Sequence, residues 1–252
     1  MQIDTYVINL KTSPERKVYM EKELAPYPFL DTHFIEGVDG RSMTCAEQEK
    51  AFDQNRAFKR YGRILGCGEV GCTLSHIECC KRLMESTSPF GMIVEDDLVM
   101  RNGERLEAIL HSLAGLLSEN GPRIVLMTGD YWFTGKKKLI DGFEIAKVYD
   151  AVCAGAYLLN RAAAEVILNM GKSHIADDWF TIKNQGIVIY ALHPHIADQN
   201  RLNFQTTIAN SLTGRTYRSN MSLKNKVASY KASFVKRFLK SIRHFEFKDF
   251  VW

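Results

Sequence analysis

Short apolar runs separated by amphipathic stretches repeat along most of this chain, which is the pattern of strands alternating with helices. Tyr6-Val7-Ile8-Asn9-Leu10 predicts a first strand. Ser13 then stands where a helix cap belongs, Pro14 suits the first helical position and Glu15 suits the positive helix end. A helix should therefore run to about Ala25, stopped by Pro26 and Pro28. Thr32 to Glu36 predicts a second strand, and Thr44-Cys45-Ala46-Glu47 has the spacing of a capping box that opens a polar surface helix toward Lys59. Gly66-Cys67-Gly68-Glu69-Val70-Gly71 puts three glycines in front of a helix that carries on to about Met84. Glycines there let backbone N–H groups approach a ligand, although the spacing is that of neither a P-loop nor a dinucleotide fingerprint.

Met92-Ile93-Val94, behind Gly91, predicts a buried strand that ends abruptly in Glu95-Asp96-Asp97 before Leu98-Val99-Met100 resumes the apolar pattern. Leu106, Ile109, Leu110, Leu113, Leu116 and Leu117 follow helical spacing and predict an amphipathic helix from Gly103 to Glu119 whose leucines are core. Arg123 to Met127 reads as another buried strand, and Lys136-Lys137-Lys138 as a solvated loop. Ala151 to Leu159 reads as one small-residue strand with Gly155 in its middle, a position that marks close approach by a ligand or another backbone. A helix begins near Arg161, Asp177-Asp178-Trp179-Phe180 opens a further one, and a late strand from Ile187 to Leu192 delivers His193-Pro194-His195. Asn200 to Asn220 is polar and irregular. From Leu223 to Ile242 the residues Val227, Tyr230, Phe234, Phe238 and Ile242 fall on or near one helical face, lysines and arginines fill much of the rest, and Phe245, Phe247, Phe250 and Trp252 follow.

Composition narrows this picture only in part. The 252 residues can hold one large α/β domain or two small ones, and 46% hydrophobic with 25% charged residues is ordinary for a globular protein. Thirty-three Lys and Arg against 29 Asp and Glu is too slight an excess to argue for nucleic acid. The excess is concentrated in the last helix, which reads either as a foot on an anionic membrane surface or as a helix packed back with a solvated outer face. No apolar run approaches the roughly 20 residues that span a bilayer. The start, straight from Met1 into a strand without the pattern of a leader, gives the expectation of a cytosolic protein. The six cysteines form no Cys-x-x-Cys pair, so reduced, mostly buried thiols are expected; a zinc site from Cys67, Cys72, Cys79 and His76 would match no familiar spacing.

The chemistry concentrates at strand ends. Three carboxylates closing a buried strand need water or cations, and in open α/β sheets ligands bind at the carboxyl ends of strands, so a hard divalent metal carrying phosphate oxygens suits Glu95-Asp96-Asp97 as well as a solvated turn does. Asp177-Asp178 beside two aromatics reads either as a helix cap or as a general base with a platform for a sugar. His193 and His195, flanking a proline after a strand, are candidate metal or phosphate ligands.

Several stretches taken together, in order, resemble glycosyltransferase family 25, the bacterial lipopolysaccharide and lipooligosaccharide sugar transferases. They are Tyr6 to Leu10 with Pro14-Glu15-Arg16, Val38-Asp39-Gly40, Gly68 to His76, Ile93 to Asp97, Gly155-Ala156-Tyr157, Asp177-Asp178 and His193-Pro194, spread over Met1 to Asp198. The resemblance implies a GT-A-like, Rossmann-related mixed sheet flanked by helices over residues 1–199, followed by the polar loop and basic amphipathic helix of 200–252. It also implies inverting transfer of galactose or glucose from a UDP-sugar to a lipid-linked oligosaccharide, with Mn²⁺ or Mg²⁺ on the UDP leaving group. Carried over residue by residue, it makes Asp97 the first choice for direct metal ligand, with Glu95 beside it and His193 completing the set. Asp96 and Glu95 act through ribose or metal-bound water. Asp178, or else Asp177, is the base. Asn9 on the first strand and Arg16 hold uridine and pyrophosphate, Asp39 the base or ribose, Ser75 and His76 the diphosphate or donor sugar, and Gly155 lies against the donor. A metal-dependent phosphohydrolase using the three acids and a non-catalytic membrane-associated binding module are the competing readings; peripheral contact with the cytosolic face of an inner membrane goes with the first.

Overall fold

The computed structural model describes residues 1–101, 103–200, 204 and 217–247. The expected irregular loop from Asn200 to Asn220 therefore lies mostly outside the described residues, as do Phe250 and Trp252. Eleven strands are described: β1 Ile3–Asn9, β2 Leu30–Glu36, β3 Phe90–Glu95, β4 Leu98–Met100, β5 Arg123–Leu126, β6 Tyr131–Ile140, β7 Phe143–Ala151, β8 Ala156–Asn160, β9 Val188–His193, β10 Ala197–Gln199 and β11 Phe245–Glu246. Nine form one mixed sheet in the order β11-β6-β7-β9-β5-β8-β3-β1-β2, and β4 pairs with β10 in a small ribbon. The parallel pairs β1/β2, β1/β3 and β5/β9, with β8 antiparallel to both β3 and β5, point the carboxyl ends of β1, β2, β3, β5 and β9 to one edge. That edge is where Glu95 emerges.

Eight α-helices are described: α1 Pro14–Leu24, α2 Cys45–Ala51, α3 Gln54–Tyr61, α4 Cys67–Glu85, α5 Leu106–Leu117, α6 Arg161–Asn169, α7 Trp179–Lys183 and α8 Leu223–Ser241. Successive strand residues point to opposite faces, so neighbours in sequence join different cores. Ile93, Tyr157 and Leu159 pack with Ile77, Leu83, Ala163, Ile167 and Trp179 from α4, α6 and α7. Met92, Val94 and Leu158 pack on the other face with Met20 and Leu24 of α1 and with Leu106, Leu110 and Leu113 of α5. Truncating one of these fully buried leucines to alanine costs about 2–5 kcal/mol. The mixed sheet with helices on both faces is the architecture expected.

Three local expectations are corrected. The helix opened by the Thr44 capping box, which is present as drawn, does not reach Lys59: Phe52 takes an extended conformation, is buried, and Asp53 caps a second helix. Burying Phe52 in a satellite core with Tyr61, Leu65 and Val70 outweighs continuing a polar helix. Lys136-Lys137-Lys138 is not a loop but the middle of β6, hairpinned to β7, where strand pairing takes the backbone and Lys136 meets Glu246 at 2.6 Å. Ala151 to Leu159 is two strands, because Cys153 adopts a positive φ of 81° and breaks the run before β8. Of the six thiols, which form no disulfide, only Cys79 and Cys80 are buried; Cys45 is exposed and the other three are half-buried. Burial pushes the Cys80 thiol up to about 12.

The C-terminal stretch is joined to the sheet through β11 beside β6 and through a 2.8 Å ion pair between Lys236 and Asp150. Helix α8 turns Ala232 and Leu239 inward and leaves Leu223, Val227, Tyr230, Phe234, Phe238 and Ile242 exposed. Phe234 keeps 74% of its surface in solvent.

Candidate functional site: the carboxyl edge of β3

Helix α4 distributes its motif residues over three faces. Glu69 and Thr73, one turn apart, serve structure: Glu69 takes both Nη groups of Arg63 at 2.7 and 2.6 Å, and the Thr73 hydroxyl donates to the His174 carbonyl. Gly71 and Ser75 form the second face. The Ser75 hydroxyl accepts from the Val38 N–H at 2.8 Å, and a Cβ added at Gly71 would lie 2.3 Å from the Val38 carbonyl oxygen. Gly40 answers from the other side, since a Cβ there would lie 1.9 Å from the Cys67 carbonyl oxygen. The glycines thus let the Val38-Asp39-Gly40 loop and the start of α4 pack backbone to backbone.

Cys72 and His76 form the third face, and they look at Glu95. His76 Nε2 is 3.5 Å and Cys72 Sγ 3.9 Å from Glu95 Oε1, while Gln199 Nε2 donates to Glu95 Oε2 at 3.3 Å. The Glu95 N–H is fixed by the Gly155 carbonyl at 2.9 Å. His76 is buried, and its ring is set by Nδ1 at 3.0 Å from the Tyr157 hydroxyl and by stacking on the Tyr157 ring. Asp177 joins this group: its carboxylate accepts from the Cys153 N–H at 3.0 Å, and burial, then the like charges of Asp178 and Glu95, raise its pKa despite that bond. Burial first, then Glu95, Asp177 and Cys153, raise the Cys72 thiol strongly.

The middle acid of the triplet has a different role. Asp96 is buried, receiving Arg16 Nη1 at 2.6 Å and Asn9 Nδ2 at 2.8 Å. Asn9 and Arg16, expected on uridine and pyrophosphate, therefore tie β1 and α1 to the end of β3. Asp97 accepts on its carbonyl from the Asn200 N–H at 2.6 Å, and its charge reaches Tyr19 of α1, whose hydroxyl is raised mainly by burial. Glu95 thus turns toward α4 and Asp97 lies within electrostatic reach of α1.

The remaining expected residues are placed as follows. Asp178 caps α7, accepting from the Thr181 N–H, and takes the hydroxyl of buried Tyr61 at 2.6 Å. Asp39 grips Arg41 through both oxygens, which lowers its pKa, and borders a cleft of about 680 Å³ at the outer edge of β2 with Glu78, Lys81 and Arg82. Gly155 meets only ordinary van der Waals neighbours, so its value lies in the carbonyl that fixes Glu95. His193 has Nδ1 3.9 Å from Glu246, on β9, which is three strand spacings from β3, roughly 14 Å. His195 packs edge-on against Tyr131. The structure brings His76 to Glu95 with Asp177 within electrostatic reach, holds Asp96, Asn9 and Arg16 together by hydrogen bonds, and does not join Ser75, Asp39 or His193 to Glu95 by any contact among the described residues.

Gln199 was not singled out from sequence, Tyr157 stood only within a family stretch, and Cys72 was weighed only as a zinc ligand with Cys67, Cys79 and His76. Cys72 and His76 stand four apart on a helix, which does put them on one face, but nothing local says that the face meets Glu95. Gln199 arrives through the β4/β10 ribbon, a pairing with no sequence signature.

Residues 2–181 match Glycosyltransferase family 25 (LPS biosynthesis protein). Over 208 residues the chain is 25% identical to procollagen galactosyltransferase 1-B of Xenopus laevis, covering 76% of this chain and 31% of that relative, so it spans about a third of the relative's length. Among solved structures it is similar to the inositol-1-phosphate CTP transferase of T. maritima, with a TM-score of 0.42, 8% identity and coverage of 82% and 93% of the two chains. It is also similar to a galactosyltransferase solved with donor and acceptor sugar analogues, with a TM-score of 0.35, 11% identity and coverage of 74% and 73%. The family match runs from β1 into α7 and takes in both the acidic end of β3 and the Cys72/His76 face of α4, and on that extent this chain belongs to glycosyltransferase family 25.

Proposed function

We propose that the chain is an inverting hexosyltransferase that moves galactose or glucose from a UDP-sugar to a lipid-linked oligosaccharide of the lipopolysaccharide or lipooligosaccharide kind. The observation that carries this reading is the gathering of Glu95, Asp177 and His76 at the carboxyl edge of the parallel strands, the edge at which open α/β sheets bind ligands. Inversion needs a base on the face of the sugar opposite the leaving UDP. Asp177 suits that task better than Asp178. Its raised pKa makes it the stronger base, whereas Asp178 is committed to the Tyr61 hydroxyl and to capping α7. His76 Nε2 can meet a donor oxygen beside Glu95, and Arg16 and Asn9 act by holding the acidic turn in place through Asp96.

The donor set at the end of β3 fits a hard divalent cation in kind, since Glu95 and Asp97 offer carboxylate oxygens on either side of an Asp96 already neutralised by Arg16. We assign Mn²⁺ or Mg²⁺ to Glu95 and Asp97, leaving His193 with Glu246. When bound, such an ion neutralises charge developing on the leaving diphosphate. Asp177 takes the acceptor proton, and Glu95, oriented by Gln199 and the Gly155 carbonyl, faces the donor.

The same reading seats the protein on the cytosolic face of an inner membrane through α8. Its outward apolar residues lie between Lys224, Lys226, Lys231, Arg237 and Lys240, an arrangement complementary to anionic lipid. Among the described residues, no helix is long and apolar enough to cross a membrane.

A panel of UDP-sugars, assayed for UDP release with and without oligosaccharide acceptor, tests the reading. Release that requires acceptor and a divalent ion supports it. Equal turnover without acceptor identifies a phosphohydrolase, and no turnover with any donor leaves a binding module.

A further inference from the structure

The face of α4 that meets Glu95 has the composition and the dimensions of a zinc site. Cys72 and His76 are one helical turn apart, and their Sγ and Nε2 lie within 4.8 Å of each other and of a Glu95 carboxylate oxygen. Zinc bonds of about 2.3 Å to sulfur and 2.0–2.2 Å to nitrogen and oxygen place the ligands of a tetrahedral site about 3.4 Å apart for nitrogen to oxygen and about 3.6 Å for sulfur to oxygen. The observed separations from Glu95 Oε1 are 3.5 Å to His76 Nε2 and 3.9 Å to Cys72 Sγ, so both of these edges are close to those of that tetrahedron.

The histidine supplies the independent sign of a ligand. His76 is 5% exposed, and its Nε2, which faces Glu95 Oε1 at 3.5 Å, makes no hydrogen bond. Its other nitrogen faces the Tyr157 hydroxyl at 3.0 Å. With Nδ1–H donating to that hydroxyl, the Nε2 lone pair is free to bind a metal, the usual way a ligating imidazole is oriented. A thiolate, an imidazole and one carboxylate suit a borderline-soft cation; Mn²⁺ and Mg²⁺ prefer all-oxygen sets.

We propose that Cys72, His76 and Glu95 bind one zinc ion with the fourth position open to water, and that the bound ion withholds Glu95 from sugar transfer. The binding stands apart from the transferase reading; only the inhibition rests on it. On binding, the Cys72 S–H bond breaks, its proton goes to solvent and the sulfur electron pair forms the S–Zn bond, so affinity falls as pH falls. The site differs from the Glu95/Asp97 assignment in ligand type and in side, since it lies toward α4.

Zinc titrated into the full chain against a chromophoric chelator should show one ion per chain, with affinity reduced at least about a hundredfold by Cys72→Ser and by His76→Gln, and unchanged by Cys45→Ser. Cobalt in place of zinc should give a thiolate-to-metal charge-transfer band in the near ultraviolet that Cys72→Ser abolishes. Zinc should slow alkylation of Cys72 in the unaltered protein, a readout that needs no variant to fold. No stoichiometric binding, binding indifferent to Cys72→Ser, or a cobalt complex without the thiolate band overturns the site. Zinc that binds as described yet leaves acceptor-dependent UDP release unchanged in a chain active with Mn²⁺ overturns the inhibition and not the site, and a chain inactive with every donor refutes the transferase reading while the binding result stands.

Discussion

Arg16 Nη1 lies 2.6 Å from Asp96 Oδ1, and the two side chains keep only 8% and 11% of their surface in solvent. The middle acid of the triplet is thus the internal anchor of the site. Asp96→Ala removes the carboxylate that Arg16 Nη1 and Asn9 Nδ2 share, and should cost about 3–5 kcal/mol in urea denaturation. A loss below about 1 kcal/mol would show that water reaches the pair.

Asp177 should report its burial through pH. Its folded-state pKa is raised, so the stability it contributes is complete below the ordinary carboxylate range and is lost as pH rises through the raised value. Asp177→Asn keeps an acceptor for the Cys153 N–H and removes the charge. The variant should melt above the parent at neutral pH, with the difference shrinking as pH falls into the ordinary carboxylate range. A difference that grows on acidification contradicts the assignment.

Gly71 sets propensity against packing. Alanine inside a helix is worth about 0.5–1 kcal/mol over glycine, but a Cβ 2.3 Å from the Val38 carbonyl oxygen has nowhere to go. Packing wins, and Gly71→Ala should lower stability by about 1–3 kcal/mol. Gly115, on a helix with nothing within 4 Å of an added Cβ, is the control and should gain stability on the same change.

On α8, Phe234→Ser and Phe238→Ser remove exposed apolar surface and should move folding stability by no more than about 0.5 kcal/mol. Flotation with anionic vesicles should nevertheless drop clearly in the double variant and at high salt. Unchanged flotation would assign the exposed face to something other than lipid.

Much of this was legible in the residues because it is local. Short apolar runs marked β1, β3, β5 and β9, and helical spacing marked α5 and α8 within a few residues. The β6/β7 hairpin was missed because its lysines sit on a strand stabilised by long-range pairing and by Glu246 from the far end of the chain. At the site, the acids and histidines could be named from sequence, but their division of labour could not. Which of three adjacent carboxylates meets Arg16, and which of two adjacent aspartates meets Tyr61, depends on side-chain direction at the turns after β3 and before α7. Of the three glycines expected ahead of α4, Gly66 is its cap while Gly68 and Gly71 lie inside the helix, and only the packed Val38 loop explains Gly71.

The most direct test compares Asp177→Asn with Asp178→Asn in acceptor-dependent transfer at saturating UDP-sugar, with donor binding measured separately. Asp177→Asn should bind donor as the parent does and lose about two to four orders of magnitude in kcat, the usual contribution of a general base. Asp178→Asn should retain most of its kcat and lose stability instead through the Tyr61 contact and the α7 cap. Near-parental transfer in Asp177→Asn, with collapse in a folded Asp178→Asn, would contradict the account.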